Sequence, residues 1–237
     1  MGAASSVPLV LAITTSDAAC AAAIHDNSGE RGAEGIDLGR GHAERVVDVC
    51  EGALRAAKAS WGELSHVAVD VGPGSFTGVR AGVAAARGLA LSLDVPALGI
   101  DAFEAIAAKV PDRPLVVAMD LRRGRFAIRR FERAGGAPLR GTADEIAGSL
   151  GPEAFHLRGT AAGDATLRAA LDRAGLPPIS AEAGAPTASG LARAALHVIA
   201  SGAPLPPPVP LYLRGADAAP AAPSPFADPS VERTAPC

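Results

Sequence analysis

The 237-residue sequence has few cysteines and few aromatic residues, and each shortage excludes a class of protein. The three cysteines, Cys20, Cys50 and Cys237, are widely spaced and form no Cys-x-x-Cys pair. A disulfide scaffold and a zinc finger are therefore not expected, and a cytoplasmic protein is predicted. Because only 3% of the residues are aromatic and 49% are hydrophobic, the core has to be built mainly from small aliphatic side chains.

The sequence also lacks an excess of positive charge and a long apolar run. Its formal net charge is -3, so neither nucleic acid nor an anionic membrane is expected as a lone partner. The apolar run at the amino end stops at Ile13, which is too short for a membrane span. One local basic cluster comprises Arg122, Arg123, Arg125, Arg129, Arg130 and Arg133. It could contact RNA phosphates or an acidic partner, although the solvated face of a hairpin is the favoured interpretation.

Strand-like and helix-like segments alternate in the first half, which predicts an α/β fold. Apolar runs over 7–16 and 18–26 predict a strand pair, and a loop is expected over 27–35. Helical periodicity predicts helices over 42–60 and 77–94, and Asp101 is the expected N-cap of a third helix. Short strands are predicted between these helices, an order typical of a parallel sheet flanked by helices.

The pattern restarts in the second half. A hairpin is predicted around Arg122–Gly124, followed by one more strand and two helices. The expected division is a first domain over 1–108, a second over 109–214 and a disordered Ala/Pro-rich tail over 215–237.

The stretch DVGPGSFTGVRAG, residues 70–82, contains four glycines between two apolar segments. It is not a Walker A loop, because Val79 occupies the lysine position, and it is not a dinucleotide fingerprint, because Thr77 occupies the third glycine position. The start of a helix can still attract an anion, so Gly72, Gly74 and Ser75 are weak candidates for phosphate or nucleotide contact. A tight strand-to-helix turn is the favoured alternative.

Other catalytic patterns are incomplete. His42 could be one of a metal-binding histidine pair, but Val46 stands four residues later, where the second histidine would be needed. Ser75 is not part of a Gly-x-Ser-x-Gly elbow and has no identifiable His and Asp partners. Gly78, Gly82 and Ala86 recur every four residues and would form a flat stripe that lets another helix approach closely.

Several segments together resemble one protein family. They are LVLAITTSDAACAAAI, GHAERVVDVCEGAL, the long segment from VAVDVGPGSFTGVRAG to IDAFEAIA, AMDLRRGRFAI and PLYLRGADA. In this order they are similar to the successive motifs of the TsaB family, also called YeaZ, and the resemblance runs from about Val7 to Ala218. The GPGSFTGxRxG block is its most specific part.

The resemblance implies an actin-like (ASKHA) fold of two RNase H-like lobes, with mixed sheets flanked by helices and with helix 187–201 packed on the first lobe. It also implies a non-catalytic dimerisation subunit that binds the catalytic subunit TsaD and the ATPase TsaE. Their complex would transfer a threonylcarbamoyl group from threonylcarbamoyl-AMP to the adenosine next to the anticodon of tRNAs that read ANN codons. The chain alone would form a homodimer, and no metal or cofactor is implied, although contact with ATP or ADP is left open.

The family also implies that the helices over 42–60 and 77–94 pair with the partner's counterparts. The predicted interface residues are Val46, Val47, Cys50, Gly78, Val79, Gly82, Val83 and Ala86. On this interpretation a leucine at Gly82 would leave the fold intact and abolish partner binding.

One departure from the family pattern concerns the first turn. The family usually has Asp-Thr-Ser after the first strand, and Thr14 replaces the aspartate here. An actin-like ATPase or kinase, which needs an acid there to position metal and nucleotide, is therefore a less favoured alternative. A glycoprotease-like metalloenzyme is a second alternative, disfavoured by Val46.

Overall fold

The computed structural model describes residues 7–37, 42–131 and 136–213. The basic-cluster member Arg133, the third cysteine Cys237 and the predicted tail over 215–237 lie outside these ranges.

Two five-stranded sheets repeat the same strand order. The first sheet contains β1 (Val10–Thr14), β2 (Ala19–Asp26), β3 (Gly29–Asp37), β4 (His66–Asp70) and β5 (Ala97–Ile100), in the order β3-β2-β1-β4-β5. The second contains β6 (Leu115–Asp120), β7 (Phe126–Phe131), β8 (Leu139–Gly141), β9 (His156–Gly159) and β10 (Ser180–Ala183), in the order β10-β9-β6-β7-β8. In each sheet three strands form an antiparallel meander and two further strands run parallel to the first. This is the RNase H-like topology, present twice, and it confirms the prediction of two mixed sheets flanked by helices.

The described ranges contain the helices α1 (His42–Ala57), α2 (Phe76–Leu93), α3 (Ala102–Ala107), α4 (Ala143–Ser149), α5 (Ala165–Arg173) and α6 (Ala188–Ser201). Helices α1 and α2 cover one face of the first sheet, and α6 covers the other. Successive side chains of a strand point to opposite faces, so Leu11 and Ile13 pack with α1 and α2 while Val10 and Ala12 pack with α6. Helices α4 and α5 pack on the second sheet. No helix in the described ranges is both long enough and apolar enough to cross a membrane.

Helix α3 joins the two lobes. Phe103 is fully buried in a cluster with Leu115 and Phe131 of the second sheet. Beside this cluster, Arg129 of β7 donates to Asp101 at 2.8 Å and to Glu104 at 2.9 Å, and its side chain is only 15% exposed. An apolar contact and a shielded ion triad thus fix the second sheet against α3.

The prediction of a loop over 27–35 is wrong for most of that segment, because only residues 27–28 form a turn and residues 29–35 belong to the edge strand β3. The sequence has no apolar alternation there, since the side chains of β3 are mostly exposed and pairing with β2 supplies the stability. The short elements β8, α4 and β10 were also not predicted. The hairpin around Arg122–Gly124 is confirmed, and all three of its central residues have positive φ angles.

The ion triad generates a stability prediction. We expect Arg129→Gln to lower the free energy of unfolding by about 1–3 kcal/mol at neutral pH, because the partly buried carboxylates of Asp101 and Glu104 lose the cation that binds both. Burial raises the pKa of Glu104, and the Arg129 guanidinium counteracts that rise. In the variant the pKa of Glu104 rises further, so the folded state takes up a proton more readily as the pH falls. Acidification therefore stabilises the variant more than the parent, and the difference in their free energies of unfolding becomes smaller.

Urea unfolding at neutral and mildly acidic pH measures this difference. The matched control is Arg173→Gln, which removes an exposed ion pair with Asp144 and should change stability by less than about 1 kcal/mol. Equal losses for the two variants, or a deficit that grows on acidification, would contradict the prediction.

Candidate functional site

Two turns of the first lobe meet at the carboxyl ends of β1 and β4. The first turn follows Thr14, and the second runs over 71–75 into α2. The backbone N–H of Ser75 donates to the carbonyl oxygen of Ser16 at 2.6 Å. The hydroxyl of Ser75 in turn accepts from the N–H of Gly78 at 3.3 Å and caps the helix. Because the carboxyl ends of parallel strands form a crevice in α/β sheets, this junction is the natural place for a site.

A buried carboxylate holds the junction together. Thr14 Oγ1 donates to Asp70 Oδ2 at 3.0 Å, and Ser16 Oγ donates to the same oxygen at 2.5 Å. The N–H of Gly72 donates to Asp70 Oδ1 at 2.8 Å, and Asp70 is only 1% exposed. Burial raises the pKa of Asp70, while these three hydrogen bonds oppose that rise. The Asp70 carboxylate therefore faces protein donors rather than the solvent.

Sequence reasoning missed the role of Asp70. The available signal was an aspartate that ends the apolar run HVAVD and directly precedes the glycine-rich turn. Its hydroxyl partners lie 54 and 56 residues away along the chain, and no local pattern connects them.

The glycines allow α2 to approach the chain's own first turn. A Cβ on Gly78 would overlap the carbonyl oxygen of Thr15, and a Cβ on Gly82 would overlap the Thr15 hydroxyl. Thr15 also donates its hydroxyl to the carbonyl oxygen of Gly78 at 2.7 Å. The stripe therefore packs against the chain's own first turn, and a leucine at Gly82 would have to displace Thr15. That Gly82→Leu folds and loses its partner stays a prediction. The earlier turn is equally tight, because Gly72 has a φ of +95° and a Cβ on Gly74 would overlap Ser16.

The predicted interface residues mostly belong to the core of the first lobe. Among them only Val47 is exposed, with 45% of its surface accessible. The buried members are Val46, Cys50, Gly78, Val79, Gly82, Val83 and Ala86. Apolar periodicity identified the buried side of each helix correctly, but that side faces the chain's own sheet, so these residues have almost no surface to offer a partner. That α1 and α2 meet a partner stays a prediction, and their outward faces would have to do so.

A cleft of about 680 Å³ lies between the two lobes at this junction. Gly74 and Ser75 are exposed on its wall, whereas Gly72 is buried, so phosphate or nucleotide contact by this turn stays a prediction. The opposite wall includes Asp120 and Arg122 of the second lobe.

Residues 203–213, which we call the strap, cross from α6 to the mouth of this cleft. Tyr212 of the strap lies beside Phe76 at the start of α2, with 5.6 Å between the ring centroids. Arg80 Nε donates to Tyr212 Oη at 2.8 Å, and Arg80 Cζ lies 3.8 Å from the Phe76 ring centroid. Phe76 and Tyr212 are 57% and 51% exposed. Arg80 thus fastens the strap to α2 at the mouth of the cleft.

The basic cluster does not form one continuous surface. Arg122, Arg123 and Arg125 are exposed at the hairpin tip, whereas Arg129 points inward to its ion triad. Arg130 pairs with Glu153 at 2.7 Å. Contact of this cluster with RNA stays a prediction for the hairpin tip.

The metal hypothesis concerns His42, whose side chain lies outside the described part of the structure. Across the described ranges, no group of three or more His, Cys, Asp or Glu residues is arranged to hold a metal ion.

The packing of α2 generates a prediction with an internal control. We expect Gly82→Ala to lower the free energy of unfolding by about 1–3 kcal/mol, because its methyl group has to displace Thr15. Gly88, on the same helix, faces open space, so Gly88→Ala should stabilise the protein by about 0.5–1 kcal/mol. Urea denaturation measures both changes, and effects of the same sign would contradict the packing described here.

The Asp70 junction generates a prediction about pH. Thr14→Asp places a second carboxylate against Asp70, and we expect it to lower the free energy of unfolding by about 3 kcal/mol or more at neutral pH. The two carboxylates raise each other's pKa, so stability should recover as the pH falls and one of them is protonated.

Thr14→Asn, which has a similar size and no charge, is the control and should lack this recovery. Unfolding curves over a pH series distinguish the two variants. A Thr14→Asp protein that is as stable as its parent at neutral pH would overturn our account of Asp70.

Most of the chain is similar in sequence to known proteins. Residues 24–201 match the sequence model of TsaD, tRNA N6-adenosine threonylcarbamoyltransferase. The tRNA threonylcarbamoyladenosine biosynthesis protein TsaB of Escherichia coli is 31% identical over 153 residues, which are 63% of this chain and 65% of the E. coli protein. An uncharacterised protein of Mycobacterium tuberculosis is 36% identical over 228 residues, which are 91% of this chain and 96% of that protein.

Solved structures show the same fold. YeaZ from Pseudomonas aeruginosa superposes with a TM-score of 0.71 at 23% identity, over 87% of this chain and 100% of that one. This likeness and the repeated RNase H-like topology confirm the actin-like fold of two lobes. The chain therefore belongs to the TsaB (YeaZ) family, within the wider group that the TsaD sequence model describes.

Proposed function

We propose that this chain is a non-catalytic scaffold subunit in the biosynthesis of threonylcarbamoyladenosine in tRNA. It binds the catalytic subunit TsaD and the ATPase TsaE, and reaches tRNA only through that complex. The complex transfers the threonylcarbamoyl group from threonylcarbamoyl-AMP to the adenosine next to the anticodon of tRNAs that read ANN codons. The E. coli relative is named for this biosynthesis, and this chain aligns with 65% of its length. A cytoplasmic location is part of the proposal.

The outward face of α2 is the observation that carries the scaffold role. The inward face is already used by the chain's own sheet, but Leu91 is 85% exposed and Phe76 is 57% exposed. Large apolar side chains on one outward helix face are typical of an interaction surface. Val47 adds an exposed apolar residue on the neighbouring helix α1.

Charged residues of α1 accompany the exposed Val47 on that helix. On α1, Arg45 pairs with Asp48 at 3.0 Å and Arg55 pairs with Glu51 at 3.7 Å. An apolar centre within a polar rim is the usual anatomy of an interface. In the absence of TsaD the same surface can pair with a second copy, which would give a homodimer with twofold symmetry.

The chemistry of the first turn supports a non-catalytic role. Thr14 occupies the position where the family usually has an aspartate, and its hydroxyl donates to Asp70. Asp70 in turn accepts from Ser16 and Gly72, so its oxygens are engaged within the protein. An ATPase would instead have to rely on Asp17 and Asp120, the carboxylates that line the cleft.

The interface prediction concerns exposed residues only. We expect Leu91→Glu and Val47→Glu each to weaken TsaD binding by about tenfold or more, because each places a charge in an apolar contact. The control is Ile179→Glu, which changes a side chain that is 59% exposed in the second lobe. Isothermal titration with TsaD measures the affinities, and thermal unfolding verifies that the variants fold. Unchanged binding by both interface variants would refute this surface.

Reconstitution tests the function as a whole. TsaD, TsaE, tRNA and threonylcarbamoyl-AMP are combined with and without this chain, and the modified adenosine is measured by mass spectrometry. Modification should depend on the chain, and the chain without TsaD should give none. Full modification in its absence, or transfer by the chain alone, would refute the scaffold role.

A further inference from the structure

A second, larger cleft lies on the other side of the first sheet from α1 and α2. It has a volume of about 1290 Å³ and is bordered by α3, the charged side of α6 and the strap. The core between the sheet and α6 contains Val10 and Ala12, whereas the core under α1 and α2 contains Leu11 and Ile13. The cleft is therefore separate from the surface proposed for TsaD.

Cations without a carboxylate partner among the described residues line part of this cleft. Lys109, Arg113 and Arg193 contribute to the lining. The guanidinium of Arg113 donates to the carbonyl oxygens of Ala107, Val110 and Asp112, so Lys109 and Arg193 are the cations most available to a ligand. The carboxylates in the lining, Asp101 and Glu104, are both bound by Arg129. Since the whole chain carries a net charge of -3, this local positive excess is not a general property of its surface.

Another part of the lining is apolar, and backbone hydrogen bonds hold it against the first sheet. It consists of strap residues, including Pro206, Pro207 and Val209, and Val209 is 57% exposed. The N–H of Gly99 donates to the carbonyl oxygen of Pro206 at 2.8 Å, and the N–H of Leu211 donates to that of Val71 at 2.7 Å. Prolines lack a backbone N–H group, so a ligand can contact this wall without having to accept hydrogen bonds from it.

The size of the cleft indicates the kind of occupant. Small-molecule sites usually have volumes of about 300–1,000 Å³ and enclose most of the ligand. The present cleft is larger, and its lining combines cations with the prolines and valine of the strap. Charge complementarity on one side and apolar contact on the other suit an extended polypeptide with interleaved acidic and apolar residues.

We propose that this basic cleft binds an extended acidic segment of a partner protein. The carboxylates of the segment contact Lys109 and Arg193, with the positive charge of Arg113 nearby, and its apolar side chains lie against the proline wall. This goes beyond the scaffold function, because it gives the chain a second docking surface that does not depend on the face of α2.

The test uses the full chain and two labelled peptides. One peptide repeats a Glu-Val-Pro unit, and the other has glutamine in place of every glutamate. Fluorescence anisotropy should show binding of the acidic peptide that weakens with salt, and little binding of the glutamine peptide. Reversing two cations together, Lys109→Glu with Arg193→Glu, should weaken binding by about tenfold or more. Thermal unfolding verifies the fold of this variant, whose changes are at exposed positions.

Arg87→Glu is the matched control. Arg87 is also exposed and without an ion pair among the described residues, but it lies on α2, on the opposite side of the sheet. Its reversal should leave peptide binding within about twofold. The proposal would be overturned if the two peptides bound equally well. It would also be overturned if Arg87→Glu weakened peptide binding as much as the double variant of Lys109 and Arg193 does. Tripolyphosphate and the unlabelled acidic peptide are each added as competitors of the labelled peptide. If tripolyphosphate displaces the labelled peptide at a lower concentration than the unlabelled peptide does, the cleft is a phosphate site and the proposal is wrong. Since no TsaD is present, these outcomes are independent of the scaffold proposal.

Discussion

The first lobe depends on a carboxylate that has no access to water. Burying a charge is costly unless hydrogen-bond donors replace its hydration, and the carboxylate of Asp70 has three such donors. Thr14 at the end of β1 and Ser16 in the turn after it supply two of them, and Gly72 in the turn after β4 supplies the third, so the burial of one group fixes both turns. Once Thr15 and Ser16 are held there, α2 has to begin directly against them. The glycines at 74, 78 and 82 follow from this, because any side chain at these positions would occupy the space of the first turn.

The second lobe repeats the topology with different chemistry at the equivalent turn. As β1 ends at Thr14, β6 ends at Asp120, whose carboxylate accepts from the N–H of Arg122 at 2.6 Å and lies 3.5 Å from the guanidinium of the same arginine. The acid in this lobe therefore stabilises its own hairpin, in which Arg122, Arg123 and Gly124 have positive φ angles. Each lobe thus uses a carboxylate to shape its wall of the cleft. The strap connects the two lobes, because Arg140 of the second lobe donates to the carbonyl oxygen of Leu213 at 2.6 Å.

The sequence alone predicted the helices and strands that have a strong apolar periodicity. It did not predict contacts between residues that are far apart along the chain. The helices α1 and α2 and the hairpin were predictable because apolar spacing and turn residues are local signals. Strand β3 was not, because an exposed edge strand has no buried face to impose alternation. Most of the predicted interface residues lie in the core of the first lobe for a physical reason. A stripe of Val, Gly and Ala shows that a helix face is buried, but not whether the neighbour is the same chain. For Gly82 the neighbour is Thr15, and only the three-dimensional structure brings the two together.

The burial of both faces of the first sheet determines where partners can bind. Because α1 and α2 cover one face and α6 covers the other, recognition has to use the outward sides of these helices. The two outward sides differ in chemistry, since α2 exposes Leu91 and Phe76 whereas Arg193 of α6 borders a cleft with a proline wall. On the two proposals made above, a protein that binds the apolar face would not compete with an acidic segment in the basic cleft. A small chain with two such unlike surfaces on opposite sides of one rigid sheet can hold two partners at once, which is the physical requirement of a scaffold.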